Sequence, residues 1–173
     1  MVRVITLLAL LAAPTTEEAP LEFRCDGMEV LRSPNRTICR GNVVARQADL
    51  LICCDQFEAL ADDQWQWTSL RCENGVRARR GDERMWSQRA DIDLKGAKLT
   101  LTGKPWLERG SSLLQGSQIV VTLSGDHAVV NNPRGIVADA KSPAPPSLRP
   151  LEASGALPAT CPISKAPTQR VRP

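Results

Sequence analysis

Short strand-like runs separated by turn residues fill the sequence from residue 21 to residue 138. Apolar and polar residues alternate in these runs, which places every second side chain on the same face of a strand and makes one face apolar. Glycine, proline, asparagine and aspartate between the runs are typical of hairpin turns. The pattern predicts one all-β domain of antiparallel strands. The alternation is clearest at Leu99, Leu101, Ile119, Val121 and Leu123.

One run within this region also has helical propensity. Residues 83–94 lie between Gly81 and Gly96, with strand-like runs on both sides. This context favours a strand over a helix.

The two ends of the chain differ in character from the predicted domain. At residues 1–20, Arg3 precedes an apolar run from Val4 to Ala13. Such a run is shorter than the roughly 20 residues that cross a bilayer, and it suits a secretory signal peptide, with an uncleaved membrane tether as the alternative. Residues 139–173 are rich in proline and lack periodicity, which predicts a disordered tail. A signal peptide of this kind is typical of an exported protein.

Six cysteines in an exported chain indicate disulfide bonds, although six cysteines allow fifteen pairings. Cys53 and Cys54 are adjacent, so on a strand one points inward and the other outward. If the two strands joined by the turn at 61–64 pair, Cys54 falls opposite Cys72, and we expect a Cys54–Cys72 bridge. Cys25–Cys39 is its natural companion on the first hairpin. The alternative is that some of these are small buried thiols.

Cys161 lies apart from the others, within the predicted tail. Its options are a bond to a domain cysteine, a bond between chains, or a free thiol.

Residues that could do chemistry are scattered. His127 is the only histidine, and the sequence has no Gly-x-Ser-x-Gly, no phosphate-binding glycine loop and no His-Glu-x-x-His. The pairs Asp62–Asp63 and Asp91–Asp93 are interpreted as solvated charges. We therefore expect no enzyme, no cofactor and no metal. A net charge of +3 with dispersed basic residues also argues against nucleic-acid binding.

A series of short motifs resembles the OstA-like (LptA-type) family of periplasmic lipopolysaccharide-transport proteins. The matching elements are Gly41-Asn42-Val43, then Cys54-Asp55 where Ala-Asp is usual, then Cys72 with Asn74-Gly75 and Val76, then Leu101, Gly103 and Pro105, and finally Gly116 and Ile119. The resemblance covers about residues 21–137. Three departures stand out: the cysteines, the Pro-rich tail and the short chain.

The resemblance implies an open, folded-over antiparallel sheet, a taco-like β-jellyroll, over residues 21–138. Its apolar interior would shelter the acyl chains of lipopolysaccharide or a related glycolipid. Open strand edges would pair with other β-jellyroll proteins of a transenvelope bridge, or with a second copy of the chain. The predicted lipid-facing residues are Val43, Ala45, Ile52, Leu70, Val76, Leu99, Leu101, Ile119, Val121 and Leu123. The predicted phosphate contacts at the rim are Arg24, Arg40, Arg46 and Arg109.

Several alternatives stay open at this point. The same apolar residues would fill an ordinary β-sandwich core, and the arginines would then be simply solvated. The chain would in that case be a disulfide-stapled module that binds proteins of the envelope. Retention of the N-terminal segment would instead make it a membrane-tethered transfer partner of the bridge. An enzyme that uses Asp91 or His127 is the remaining alternative.

Overall fold

The computed structural model of the chain describes residues 19–137 and 157–166. Twelve antiparallel strands form one open sheet, and these residues include no helix of the length and apolarity that a membrane span requires. The predicted all-β antiparallel fold is confirmed, and the run at residues 83–94 forms a strand over Glu83–Asp93, as expected. The strands are β1 Glu22–Arg24, β2 Gly27–Arg32, β3 Asn35–Gln47, β4 Leu50–Ala61, β5 Trp67–Arg80, β6 Glu83–Asp93, β7 Lys98–Thr102, β8 Trp106–Arg109, β9 Ser112–Gln115, β10 Gln118–Thr122, β11 Ala128–Asn131 and β12 Arg134–Ile136.

A line of irregularities crosses the four long central strands. The register shifts between Arg40 and Val43 in β3, between Cys53 and Gln56 in β4, and between Glu73 and Val76 in β5. Bulges bend the strands that carry them. At two of these sites an Asn–Gly or Gly–Asn pair supplies positive φ angles: 78° and 47° at Gly41–Asn42, and 65° and 68° at Asn74–Gly75.

The bulge line divides the sheet into two halves, because each outer long strand pairs with different neighbours on either side of it. The first part of β3 pairs with β2 and the second part with β1. The first part of β6 pairs with β8 and the second part with β7. We call the part that contains β1, β8, β9 and β12 the β8 half. The part that contains β2, β7, β10 and β11 is the β10 half.

The inward faces of the two halves share one apolar core. Phe57, which belongs to the β10 half, is fully buried, and its ring lies 5.9 Å from the ring of Phe23 in the β8 half. Residues from all four central strands and from β7, β8 and β10 join the same cluster. The sheet is thus folded over with its apolar side inward.

The three disulfides use all six cysteines. Cys54 lies in the inner core and is bonded to Cys72, and Cys25 is bonded to Cys39. These are the two pairings named from the sequence. Cys53 faces outward and is bonded to Cys161, which answers the open question about that residue.

The register used to predict the Cys54–Cys72 bridge was wrong, although the structure contains the bridge itself. Cys72 pairs with Phe57, not with Cys54. The turn is longer than expected, because the Asp62 carboxylate accepts hydrogen bonds from the backbone N–H groups of Gln64 and Gln66. This displaces the register, and the bulge after Cys53 places the two sulfurs together.

The Cys25–Cys39 bridge also differs from a pairing across one hairpin. Met28 occupies the position opposite Cys39, while Cys25 lies between β1 and β2. The bridge therefore joins the link between these two strands to β3.

The C-terminal segment 157–166 departs from the predicted disorder of residues 139–173. Leu157 and Ile163 pack on an outward apolar patch of the β8 half formed by Val44, Leu51 and Cys53. The Cys53–Cys161 bond and this apolar contact offset the chain entropy that the proline-rich composition suggested would dominate. Residues 138–156 and 167–173 lie outside the described residues, as does nearly all of the predicted signal segment.

A charged cluster lies on the outer face of the β10 half. Asp91 accepts hydrogen bonds from Arg89 Nε and Arg71 Nε, both at 2.8 Å. Burial raises the pKa of Asp91, but the hydrogen bonds from the two guanidinium groups outweigh burial and lower its pKa below the ordinary value. The carboxylate therefore contributes stability above its unfolded pKa, and this contribution is lost as the pH falls through the folded value.

We expect Asp91→Asn to lower the free energy of unfolding at pH 7 by less than about 1 kcal/mol, because the cluster is partly exposed. At acidic pH the difference between the variant and the parent should shrink, since the stability that the Asp91 carboxylate contributes is lost as the pH falls through its folded pKa. Urea unfolding at the two pH values measures this, with Asp63→Asn in an exposed turn as the control. An equal loss of stability at both pH values would contradict the assignment.

Candidate functional site

The interior between the two halves holds the larger of the two buried apolar clusters in the described residues. Nine of the ten residues predicted from the sequence to face it belong to the buried core, and Leu123 packs against that core while partly exposed. The structure thus places all ten on one surface. Their contact with lipid stays a prediction, because the inner side chains here pack against one another.

Several interior residues were not predicted from the sequence. Phe57, Met85 and Leu107 are buried in the same cluster. The inward position of Phe57 could have been predicted, because it alternates with Ala59 on the same strand face. Met85 and Leu107 each stand next to a tryptophan, so the apolar residues of these runs are adjacent and do not show which phase faces inward.

In the β8 half, the last inward-facing position at the strand ends far from the bulge line is occupied by a charged side chain. Arg80 continues the inward series of Val76 and Ala78, and Glu83 precedes Met85 by two residues. Arg109 likewise follows Leu107 by two residues. These strand ends lie farthest from the bulge line, where the sheet bends. They therefore form the open edge between the two halves, which we call the mouth.

Ion pairs and hydrogen bonds close this mouth. Arg80 Nη1 donates to the Thr122 carbonyl oxygen at 2.8 Å, and Arg109 Nη2 donates to the Asp126 carbonyl oxygen at 3.3 Å. Glu83 lies between the two arginines: Oε2 is 3.1 Å from Arg80 Nη2, and Oε1 accepts from Arg109 Nε at 2.7 Å. We call these five residues the mouth clasp. It joins strand ends of the β8 half to the end of β10 and the β10–β11 turn.

Two charged side chains of the clasp are deeply buried, whereas Arg109 and Asp126 are exposed. The side chains of Arg80 and Glu83 are only 6% and 4% exposed. Charges taken out of water must be compensated by partners in good geometry. The strength of the clasp therefore depends on the whole set of contacts.

Two cavities flank the clasp. One, of about 600 Å³, is polar and includes Asp49, Asp82 and Ser124. The other, of about 370 Å³, is lined by apolar side chains that include Leu107, Leu114 and Val130, with His127 at its edge. Arg109 and Asp126 line both cavities. The clasp thus separates a polar opening from an apolar recess that reaches both halves.

The four arginines predicted to contact phosphate at the rim lie apart from one another, and those contacts stay a prediction. Of the four, Arg109 belongs to the mouth clasp. Arg24, Arg40 and Arg46 project from the outer faces, because their neighbours Phe23, Cys39 and Ala45 take the inward phase. Arg40 Nη1 lies 3.3 Å from Glu29 Oε2, and Arg46 Nε donates to Glu22 Oε2 at 3.1 Å.

The candidate catalytic residues remain dispersed. His127 borders the apolar recess, whereas Asp62 caps a turn and Asp91 lies in the outer charged cluster. Across residues 19–137 and 157–166, three or more side chains of the types that bind metals do not come together in a metal-binding arrangement.

Comparison with known proteins places this architecture. A family model described as LptA/(LptD N-terminal domain) LPS transport protein matches residues 24–127. No curated protein matches the sequence. The solved structure of LptH, the LptA-homologous periplasmic component of the lipopolysaccharide transport device of Pseudomonas aeruginosa, superposes with a TM-score of 0.65 at 9% identity, covering 70% of this chain and 96% of that one. At that identity the likeness shows a shared fold. Because the family match spans more than half of the chain, the chain belongs to the LptA and LptD N-terminal domain family of lipopolysaccharide-transport proteins.

Proposed function

We propose that the chain is a non-enzymatic periplasmic protein that shields the acyl chains of lipopolysaccharide, or of a related glycolipid, between its two sheet halves. The observation that carries this proposal is the single apolar interior to which both halves contribute. In a family of lipopolysaccharide-transport proteins, such an interior suits the hydrophobic acyl chains of the lipid.

The energetics favour such an exchange. Removal of a methylene group from water is worth about 0.8 kcal/mol, so an acyl chain of about ten methylenes gains about 8 kcal/mol on burial. The halves must part to admit the chain, and their side chains then exchange contacts with each other for contacts with the lipid. The bulge line is the natural hinge for this movement, and the mouth clasp is the set of contacts that must open.

Exposed strand edges support partners of the same architecture. Met28 and Val30 on β2 and Ile136 on β12 are exposed apolar side chains on edge strands of the described sheet. An edge strand offers unpaired backbone groups to a second chain. We propose that these edges pair with other β-jellyroll proteins of a transport bridge, or with a second copy.

A second candidate function has a specific observation in its favour. The interior side chains are closely packed against one another, as in a closed β-sandwich. On this interpretation the chain is a disulfide-stapled module that binds proteins of the envelope. The membrane-tethered transfer partner depends on the N-terminal segment, which lies outside the described residues.

Photocrosslinking in cells separates these candidates. A photoreactive residue at Leu101 or Val121 points into the interior, whereas one at Thr100 or Val120 lies on the same strands with the opposite phase. We expect crosslinks to glycolipid from the two inward positions and at least tenfold fewer from the outward pair.

The controls decide the interpretation. Crosslinks from Leu101 and Val121 that stay within the protein would overturn the acyl-shielding proposal and favour the closed module. Equal glycolipid crosslinking from all four positions would also contradict it, because that result indicates contact with a surface and not with an interior.

A further inference from the structure

The C-terminal segment 157–166 completes a cleft on the outer face of the β8 half. The cleft has a volume of about 510 Å³ and lies between the bulge line, the β6–β8 region and Lys165. Besides the Cys53–Cys161 bond, two hydrogen bonds hold the segment in place. Arg77 Nη1 donates to the Ile163 carbonyl oxygen at 3.1 Å, and Trp86 Nε1 donates to the Ser164 carbonyl oxygen at 2.9 Å.

The lining of this cleft is cationic and aromatic. It contains Arg77, Lys104 and Lys165 against a single carboxylate, Asp55. Within the described part of the chain, neither Lys104 nor Lys165 forms an ion pair. Two ammonium groups are therefore available to an anion without first leaving a carboxylate partner.

Tryptophan and glycine supply the rest of the surface. Trp106 is half-buried at the cleft and lies opposite the buried Trp86 on the neighbouring strand. An indole offers an apolar face to the C–H groups of a sugar ring. Gly75 also lines the cleft, and a Cβ atom added at this position would meet only open space. The floor at that point is therefore unobstructed backbone.

We propose that this outer cleft binds a phosphorylated sugar. The two ammonium groups would pair with the phosphate, and the indole of Trp106 would pack against the sugar ring. The volume is within the range of small-molecule sites, about 300–1,000 Å³. The cleft lies on the opposite face of the sheet from the acyl-binding interior, so this inference does not depend on the proposed function.

The proposal also gives the C-terminal strap, residues 157–166, a role. The bond between Cys53 and Cys161 brings Lys165 to the sheet across a separation of 108 residues. Without the strap, the cleft loses one wall and one of its two unpaired ammonium groups.

Indole N–H signals in NMR spectra of the full, oxidised protein provide the test. The probes are glucose 6-phosphate, glucose and inorganic phosphate. We expect glucose 6-phosphate to shift the Trp106 and Trp86 signals, with Trp106→Phe used for assignment, and to leave Trp65 and Trp67 unchanged. Glucose or phosphate alone should bind at least tenfold more weakly.

Matched variants locate the site. Lys104→Gln with Lys165→Gln should weaken glucose 6-phosphate binding at least tenfold, whereas Lys95→Gln with Lys98→Gln, at the other end of the sheet, should leave it unchanged. Cys53→Ser with Cys161→Ser should weaken binding at least as much as Lys165→Gln alone and should shift the Trp86 signal by removing its acceptor. The other two disulfides stay intact in that variant.

Three results would overturn the proposal: unmoved Trp106 and Trp86 signals, equal binding of inorganic phosphate, or equal loss in the Lys95 and Lys98 variant. The source of the sugar is a separate arm. Tighter binding of the deacylated phosphorylated glycan of lipopolysaccharide than of glucose 6-phosphate assigns the cleft to a lipid headgroup, and equal binding assigns it to a free sugar phosphate. Either outcome supports the site, and neither bears on crosslinking from Leu101.

Discussion

Phe57→Ala is expected to lower the free energy of unfolding by about 3–5 kcal/mol, the range found when a buried aromatic ring is removed from a core. Phe57 is fully buried where the two halves meet, and it lies opposite Cys39 on one side and Cys72 on the other. The two disulfides that end at these neighbours hold the surrounding strands, so collapse of the cavity is restricted. Urea unfolding with all disulfides oxidised measures the loss.

Phe23→Ala is the matched control for this prediction. Phe23 supplies the partner ring, but it is only partly buried and lies on the edge strand β1. We expect its loss to cost less than half as much as that of Phe57. Equal costs for the two variants would mean that the ring pair, and not the central cavity, determines the stability of the interior.

The interior phase was predictable because strand alternation is a local property. Leu99 and Leu101 face inward together with Ile119 and Val121, and β7 pairs with β10 in the register that this requires. The opposed directions of Cys53 and Cys54 followed from the same period of two.

The bulge line was not predictable, because it depends on how the bulges of neighbouring strands align. The sequence displays Gly41–Asn42 and Asn74–Gly75 as turn-like pairs, and both have positive φ angles inside long strands. Only the cross-strand register reveals that these bulges, and the one after Cys53, fall on one line. The sequence of one strand does not show where a bulge lies in the neighbouring strand.

The mouth clasp was missed for a different reason. The series Val76, Ala78 and Arg80 keeps its inward phase, but a charge at its end suggests solvent. The partner that makes burial of Arg80 tolerable is Glu83, across the tight β5–β6 turn. Charged residues that continue an inward series next to a turn are the signal that would have identified the clasp.

The outer cleft could not be predicted because its wall comes from a proline-rich segment. Composition describes the entropy of such a segment but not the partner of its cysteine. The contacts of Ile163 and Ser164 follow only once Cys161 is bonded to Cys53.

Glu83→Gln is expected to lower the free energy of unfolding by about 3 kcal/mol, because the buried charge of Arg80 loses its close partner and keeps only the exposed Asp126 carboxylate, 3.9 Å away. Arg80 would remain buried with the Thr122 carbonyl oxygen as its main acceptor. Glu108→Gln is the matched control: Glu108 is adjacent to Arg109 on β8 and pairs with Arg84 on the outer face, where both side chains are more exposed. Its loss should cost about 1 kcal/mol or less.

The Glu83→Gln variant also tests whether the mouth clasp controls the opening of the interior or only stabilises the folded state. If the clasp holds the mouth shut, Glu83→Gln weakens the link between Arg109 and the β10–β11 turn as well as that of Arg80, so the halves part more readily. At a temperature where the variant is fully folded, glycolipid crosslinking from Leu101 should then rise at least twofold, while Glu108→Gln leaves it unchanged. Stability and lipid loading would move in opposite directions, which a merely structural cluster does not produce. Crosslinking that stays level or falls in Glu83→Gln would show that the mouth opens elsewhere along the sheet.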